Sequence, residues 1–157
     1  MKTKHRNAAK SKRRYQADPM AMFKLINRIE PYTDQDVVQL ALPARLPFEA
    51  IKTGTGTTDD FDELAVSVNS TMVRSESIDE LCVQTCIIAQ EALLRCKERY
   101  LRTGRFGWDG PALQQIPPAL DLHEEVMANS TPHQMTVALK EQYSRIQRGI
   151  INQVAAP

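Results

Sequence analysis

Three cysteines are the first residues in this chain whose type and spacing could do chemistry. At about 100° per residue along a helix, Cys86 lies about 40° to one side of Cys82 and Cys96 about 40° to the other, so all three share one face. A metal reading would pair Cys82 and Cys86 with His123 or His133. The spacing is not the usual loop-borne C-x-x-C, and the shared face is apolar, so the cysteines are expected to pack as small hydrophobes. In a reducing interior they would form no disulfide. His123-Glu124-Glu125 opens like the zinc-protease helix H-E-x-x-H, but Met127 stands where the second histidine is needed. His123 therefore reads as a core histidine. Asp59, Asp60, Asp62 and Glu63 lack the spacing of a calcium loop and suit a helix N-terminus instead. Gly54 and Gly56 are not followed by Gly-Lys-Ser/Thr, and no serine sits in a nucleophile elbow. The expectation is a non-enzymatic protein with no metal and no cofactor.

Binding chemistry is more visible. Lys2, Lys4, Arg6, Lys10, Lys12, Arg13 and Arg14 put seven cations into the first fourteen residues, with no acid among them. The rest of the chain then holds 13 basic against 19 acidic residues, a body of about −6. Such an arm suits phosphate contact, with Tyr15 as a stacking group. It equally suits a merely solubilising, disordered terminus, or a tail folding over its own acidic surface. Arg105, Phe106 and Trp108 are residue types enriched at binding hot spots, and they form the expected partner contact. The other reading of Trp108 is an anchor packed into the end of the bundle.

The elements that must position these groups are helical throughout. Residues 1–18 have no apolar periodicity and read as a disordered basic arm. Met22, Phe23, Ile26 and Ile29 form a short apolar face that Pro31 ends. Thr33 starts a helix that Pro43 and Pro47 should break or kink, an irregular segment near 42–48 being one outcome. Thr58 or Asp59 caps the next helix, with Phe61, Leu64, Ala65, Val68 and Met72 inward. Ser77 and Glu80 form a capping box before a long helix that Gly104 stops. Its expected inner stripe is Ile78, Leu81, Cys82, Thr85, Ile88, Ala89, Ala92, Cys96 and Tyr100. A helix bent near Pro117-Pro118 follows, with Leu113, Ile116, Leu120, His123 and Met127 inward. The last starts at Thr131-Pro132, with Met135, Leu139, Tyr143, Ile146 and Ile150 inward. The fold class is all-α: a single bundle of about five helices over residues 19–152, with a frayed tail at 153–157. No run of roughly 20 apolar residues is present to span a bilayer, and no apolar segment follows the N-terminal charges, so a cytoplasmic protein is expected.

The stretches KSKRRYQADP, IIAQEALLRCKERYLRTGRFGW and LDLHEEVMANSTPHQMTVALKEQ resemble small helical proteins of prophage-like regions in beta- and gamma-proteobacteria. Members are commonly described as Fis-like regulators. The resemblance covers the arm and roughly the last 80 residues, and it implies a mobile-element origin. A Fis-like helix-turn-helix is not expected, because no basic recognition helix follows a tight glycine turn, and the final helix offers only Lys140, Arg145 and Arg148. Two functions follow as expectations. The first is a phage- or mobile-element-encoded protein that binds a host macromolecule, a protein or nucleoprotein complex, and modulates or inhibits it, in the manner of anti-defence (anti-CRISPR-like) proteins. The second is a DNA-binding regulator or nucleoprotein accessory factor gripping phosphates with the arm, its bundle pairing as a homodimer.

Overall fold

Threonines decide where three of the helices begin. Thr33, Thr57 and Thr131 hold extended backbone, and each side chain accepts the backbone N–H three residues on, from Asp36, Asp60 and Gln134. Each of those residues accepts the threonine N–H in return, so two otherwise orphaned donors are satisfied at every start. The structure, a computed structural model describing residues 29–150, contains five α-helices. They are α1 Asp34–Thr53, α2 Thr58–Ser75, α3 Glu80–Thr103, α4 Ala112–Ala128 and α5 Pro132–Gln147. No strand occurs among the described residues, and the fold is all-α. The arm expected at 1–18, its cations and Tyr15, the apolar residues Met22, Phe23 and Ile26, and the tail at 153–157 lie outside the described residues.

Short connections make α1 to α4 run alternately up and down. Helix α2 packs against all four others, and α1 also packs on α4. The core forms where Ile51, Phe61, Leu64, Val68 and Ile116 are wholly withdrawn from water, each such burial contributing about 1.5–3 kcal/mol. The inner face of α3 is built from small residues, Cys86, Ala89, Ala92 and Cys96, which let its neighbours approach closely. Helix α5 does not extend the bundle. Ser130 at its start accepts from Arg74, and Arg145 in its last turn pairs with Glu76, so both its ends meet the final residues of α2. It lies across the end of α2 rather than along it.

The expected break at 42–48 does not occur: α1 is continuous through Pro43 and Pro47, and α4 through Pro117 and Pro118. Each proline frees the carbonyl four residues earlier, those of Gln39, Pro43, Leu113 and Gln114. All four belong to exposed residues, where water can take the place of the missing donor. Thr57, not Thr58 or Asp59, caps α2. The expected box at Ser77 and Glu80 is also displaced. Asp79 caps α3 by accepting the Leu81 N–H at 2.7 Å, while Ser77 donates back to the Arg74 carbonyl.

Two apolar stripes face differently from expectation. On α3, Ile78, Leu81 and Ile88 are exposed, and Leu93 joins the core in their place. On α5, Leu139, Tyr143 and Ile150 point outward, while Ala138 and Gln142 are buried. In both cases a helix with two apolar sides meets neighbours on only one.

The turn between α1 and α2 has a requirement the loop composition did not specify. Gly54 has φ 79° and closes α1 through bonds to the Ala50 and Ile51 carbonyls. Gly56 sits so close to α1 that a Cβ would stand 2.9 Å from Ile51 Cα. Gly56→Ala should therefore destabilise the fold by about 1–3 kcal/mol, measured as a lowered urea midpoint. Gly110→Ala, where a Cβ meets nothing within 4 Å, should leave the midpoint almost unchanged.

Candidate binding surfaces

The aromatic connection after α3 is an interior structure. Gly104 takes φ 71°, which lets the chain turn back over the bundle end. Phe106 then stacks on Tyr100 with ring centres 4.1 Å apart and on Phe61 at 5.1 Å. Trp108 stacks on Phe48 at 5.6 Å and donates its Nε1–H to the Phe48 carbonyl at 3.0 Å. Phe106 and Trp108 are buried, the indole only 8% exposed, so neither ring offers the open surface a partner contact needs. Of the three residues expected to meet a partner, only Arg105 is exposed.

Cations gather at the same end of the bundle. Arg95 donates to Asp109 at 2.8 Å and to Gln115 at 2.6 Å. Asp109 in turn accepts the Ala112 N–H and starts α4, and the Arg95 guanidinium holds its carboxyl below the usual range. Arg95, Arg99 and Arg102 line a cleft of about 240 Å³ beside Gly107. Arg99, Arg102 and Arg105 form no ion pair with any described residue.

The residues that could have done chemistry serve the core. Burial pushes the Cys86 thiol up to about 12, with Cys82 adding to the shift, and it raises Cys96 as well. Cys82 is half-buried. His123 is buried with Nδ1 2.6 Å from Thr71 Oγ1, which itself lies 2.8 Å from the Ser67 carbonyl. One arrangement satisfies both contacts: the hydroxyl donates to the carbonyl, and the imidazole Nδ1–H donates to the hydroxyl. Burial pushes the imidazole down to about 4, so it is neutral near pH 7. Among the described residues no three His, Cys, Asp or Glu are grouped to hold a metal ion. No described helix is long and apolar enough to cross a membrane.

Sequence reasoning missed a groove at the opposite end of the bundle. Leu81, Cys82 and Thr85 of α3 face Pro118, Asp121, Leu122 and Glu125 of α4 across about 300 Å³. Its lining is apolar at Leu81, Pro118 and Leu122 and acidic at Asp121 and Glu125. Asp79 caps α3 and Glu80 begins it, and Asp34 and Asp36 begin α1 at the same end of the bundle. Arg45 reaches from α1 to bind Asp121 at 2.7 Å and also Glu124. Glu125, Asp79 and Glu80 form no ion pair with any described residue. The groove was legible only in part. Leu81 and Thr85 carried the right spacing, but that stripe was assigned to the core. Across residues 29–150 there are 11 basic and 18 acidic residues, a net of −7.

No family model matches this chain, and no curated protein or solved structure is similar to it.

The neutral histidine makes stability depend on pH in a defined window. Above its ordinary 6.5, His123 is neutral in both folded and unfolded chains and contributes no slope. Between 6.5 and about 4 only the unfolded chain takes up the proton, so stability falls as pH drops. The loss should reach about 3 kcal/mol, read from urea midpoints across that window. His123→Gln should flatten the slope there. It should leave the further loss at lower pH, where Glu76 and Asp109, both held below the usual carboxylate range by arginines, become protonated.

Proposed function

We propose that this chain is a non-enzymatic, mobile-element-encoded protein that binds a host protein or nucleoprotein complex and inhibits it, as anti-defence proteins do. The target is a basic surface, of the kind that nucleic-acid-binding proteins present. The observation that supports this reading best is the groove between α3 and α4. There Leu81, 76% exposed, lines the groove with Asp121 and Glu125. Exposed apolar side chains beside a predominance of acidic ones supply burial and electrostatic steering together. The net charge of the described residues adds long-range attraction to a cationic partner.

A second reading, direct contact with nucleic acid, is favoured by Arg99, Arg102 and Arg105 at the other end of the bundle. The N-terminal cations would join them, giving binding that weakens steeply with salt.

Two measurements separate the readings. In affinity capture from bacterial lysate, the full-length chain should retain a basic nucleic-acid-binding protein, which the variant Leu81→Lys/Glu125→Lys should lose. Adding the full-length chain should then suppress that partner's own nucleic-acid binding. Tight binding of the isolated chain to labelled duplex DNA, abolished by Arg99→Glu/Arg102→Glu and unaffected by Leu81→Lys/Glu125→Lys, would favour the second reading instead.

A further inference from the structure

We infer that the N-terminal segment of this same chain, residues 19–28 with the cations preceding it, docks in the groove between α3 and α4 and covers it when no partner is bound. The inference rests on the reading of that groove as the binding surface, and it adds a built-in competitor.

Composition points to this occupant. Residues 1–28 carry nine Lys and Arg against one acid, Asp18. Met20, Met22, Phe23 and Ile26 are interspersed with Lys24 and Arg28, so the segment is apolar and basic at once. The groove is its counterpart: Leu81, Leu122 and Pro118 line it together with Glu125, an acid with no ion pair to any described residue, and with Asp121, which Arg45 already holds. Ile29, the residue that joins the segment to the described fold, is 79% exposed and takes no part in the core.

Connection and reach agree. The chain enters α1 at the bundle end where α3 begins and α4 finishes, which is the end that holds the groove. Helix axes packed 8–10 Å apart put α1 and α3 on the order of 15 Å from one another across the bundle. Ten residues span about 15 Å as a helix and about 33 Å when extended, enough in either form. A tether this short supplies an effective concentration in the millimolar range, so even a weak site fills. An external basic ligand then has to displace a ligand of the same chemistry.

Cys82 lies in the groove and reports its cover, while Cys86 and Cys96 are buried. The experiment follows alkylation of Cys82 by iodoacetamide, a neutral reagent, in the full-length chain without partner. Raising salt from about 50 to about 500 mM should speed the reaction roughly tenfold, as screening releases a segment docked about nine-tenths of the time. Met22→Asp/Phe23→Asp and Lys24→Glu/Arg28→Glu should each give the fast rate at low salt. Equal rates in wild type and both variants at either salt would overturn the inference. So would protection that grows with protein concentration, because the cover would then come from a second copy. No host protein is present, so failure here leaves host binding standing, and failure of host binding leaves this measurement intact.

Discussion

Trp108 ties the connection between α3 and α4 to the last turns of α1, and the rest of the bundle is arranged around that tie. Truncating a buried aromatic costs about 3–5 kcal/mol, whereas a hydrogen bond contributes about 1 kcal/mol net. Burial of the indole therefore dominates, and the bond from Nε1–H to the Phe48 carbonyl fixes its orientation. That carbonyl lies within a helix and has a second lone pair free for it. Phe106, two residues earlier, does the same for α2 and α3 by stacking against Phe61 and Tyr100. The eight-residue connection thus locks three helices at one end, and its Asp109 accepts the Ala112 N–H where α4 starts.

Away from that end, polar groups take over. Thr71 and His123 join α2 to α4 inside the bundle, and Arg45 joins α1 to α4 at its edge. Helix α5 lies outside the main hydrophobic cluster. Arg145 holds it by pairing with Glu76 and Glu141 at once. Beneath it, Gln142 is fully buried, and its amide nitrogen and oxygen find no partner among the described residues, like the hydroxyl of Ser75. Unsatisfied buried groups cost about 1–3 kcal/mol each, which makes α5 the least firmly held helix.

Much of this was legible in the residues, and the gaps have physical causes. The starts at Thr33 and Thr131 and the stop at Gly104 follow from local rules of capping. The core roles of Cys86, Cys96 and His123 follow from their place on apolar faces. Local rules failed at Pro43 and Pro47, because the freed carbonyls face water, a tertiary fact. They failed at Ile78, Leu81, Leu139 and Tyr143, because helical spacing identifies an apolar stripe without saying whether a neighbour exists to cover it. Phe106 and Trp108 look alike in sequence whether they bind a partner or the core. The acidic groove joins residues some 40 positions apart, 81–85 and 118–125, and no local pattern connects them.

The two ends of the bundle consequently differ in kind. One is closed by aromatic stacking; the other holds the open groove between α3 and α4. Quenching of Trp108, the only tryptophan in the chain, tests that division most directly. With the indole packed on Phe48, native emission should be blue-shifted and poorly quenched by acrylamide, and binding of a basic partner at the far end should leave both unchanged. Native emission as red-shifted and as readily quenched as that of the urea-unfolded chain would contradict the account, because the connection would then lie at the surface and be free to meet a partner.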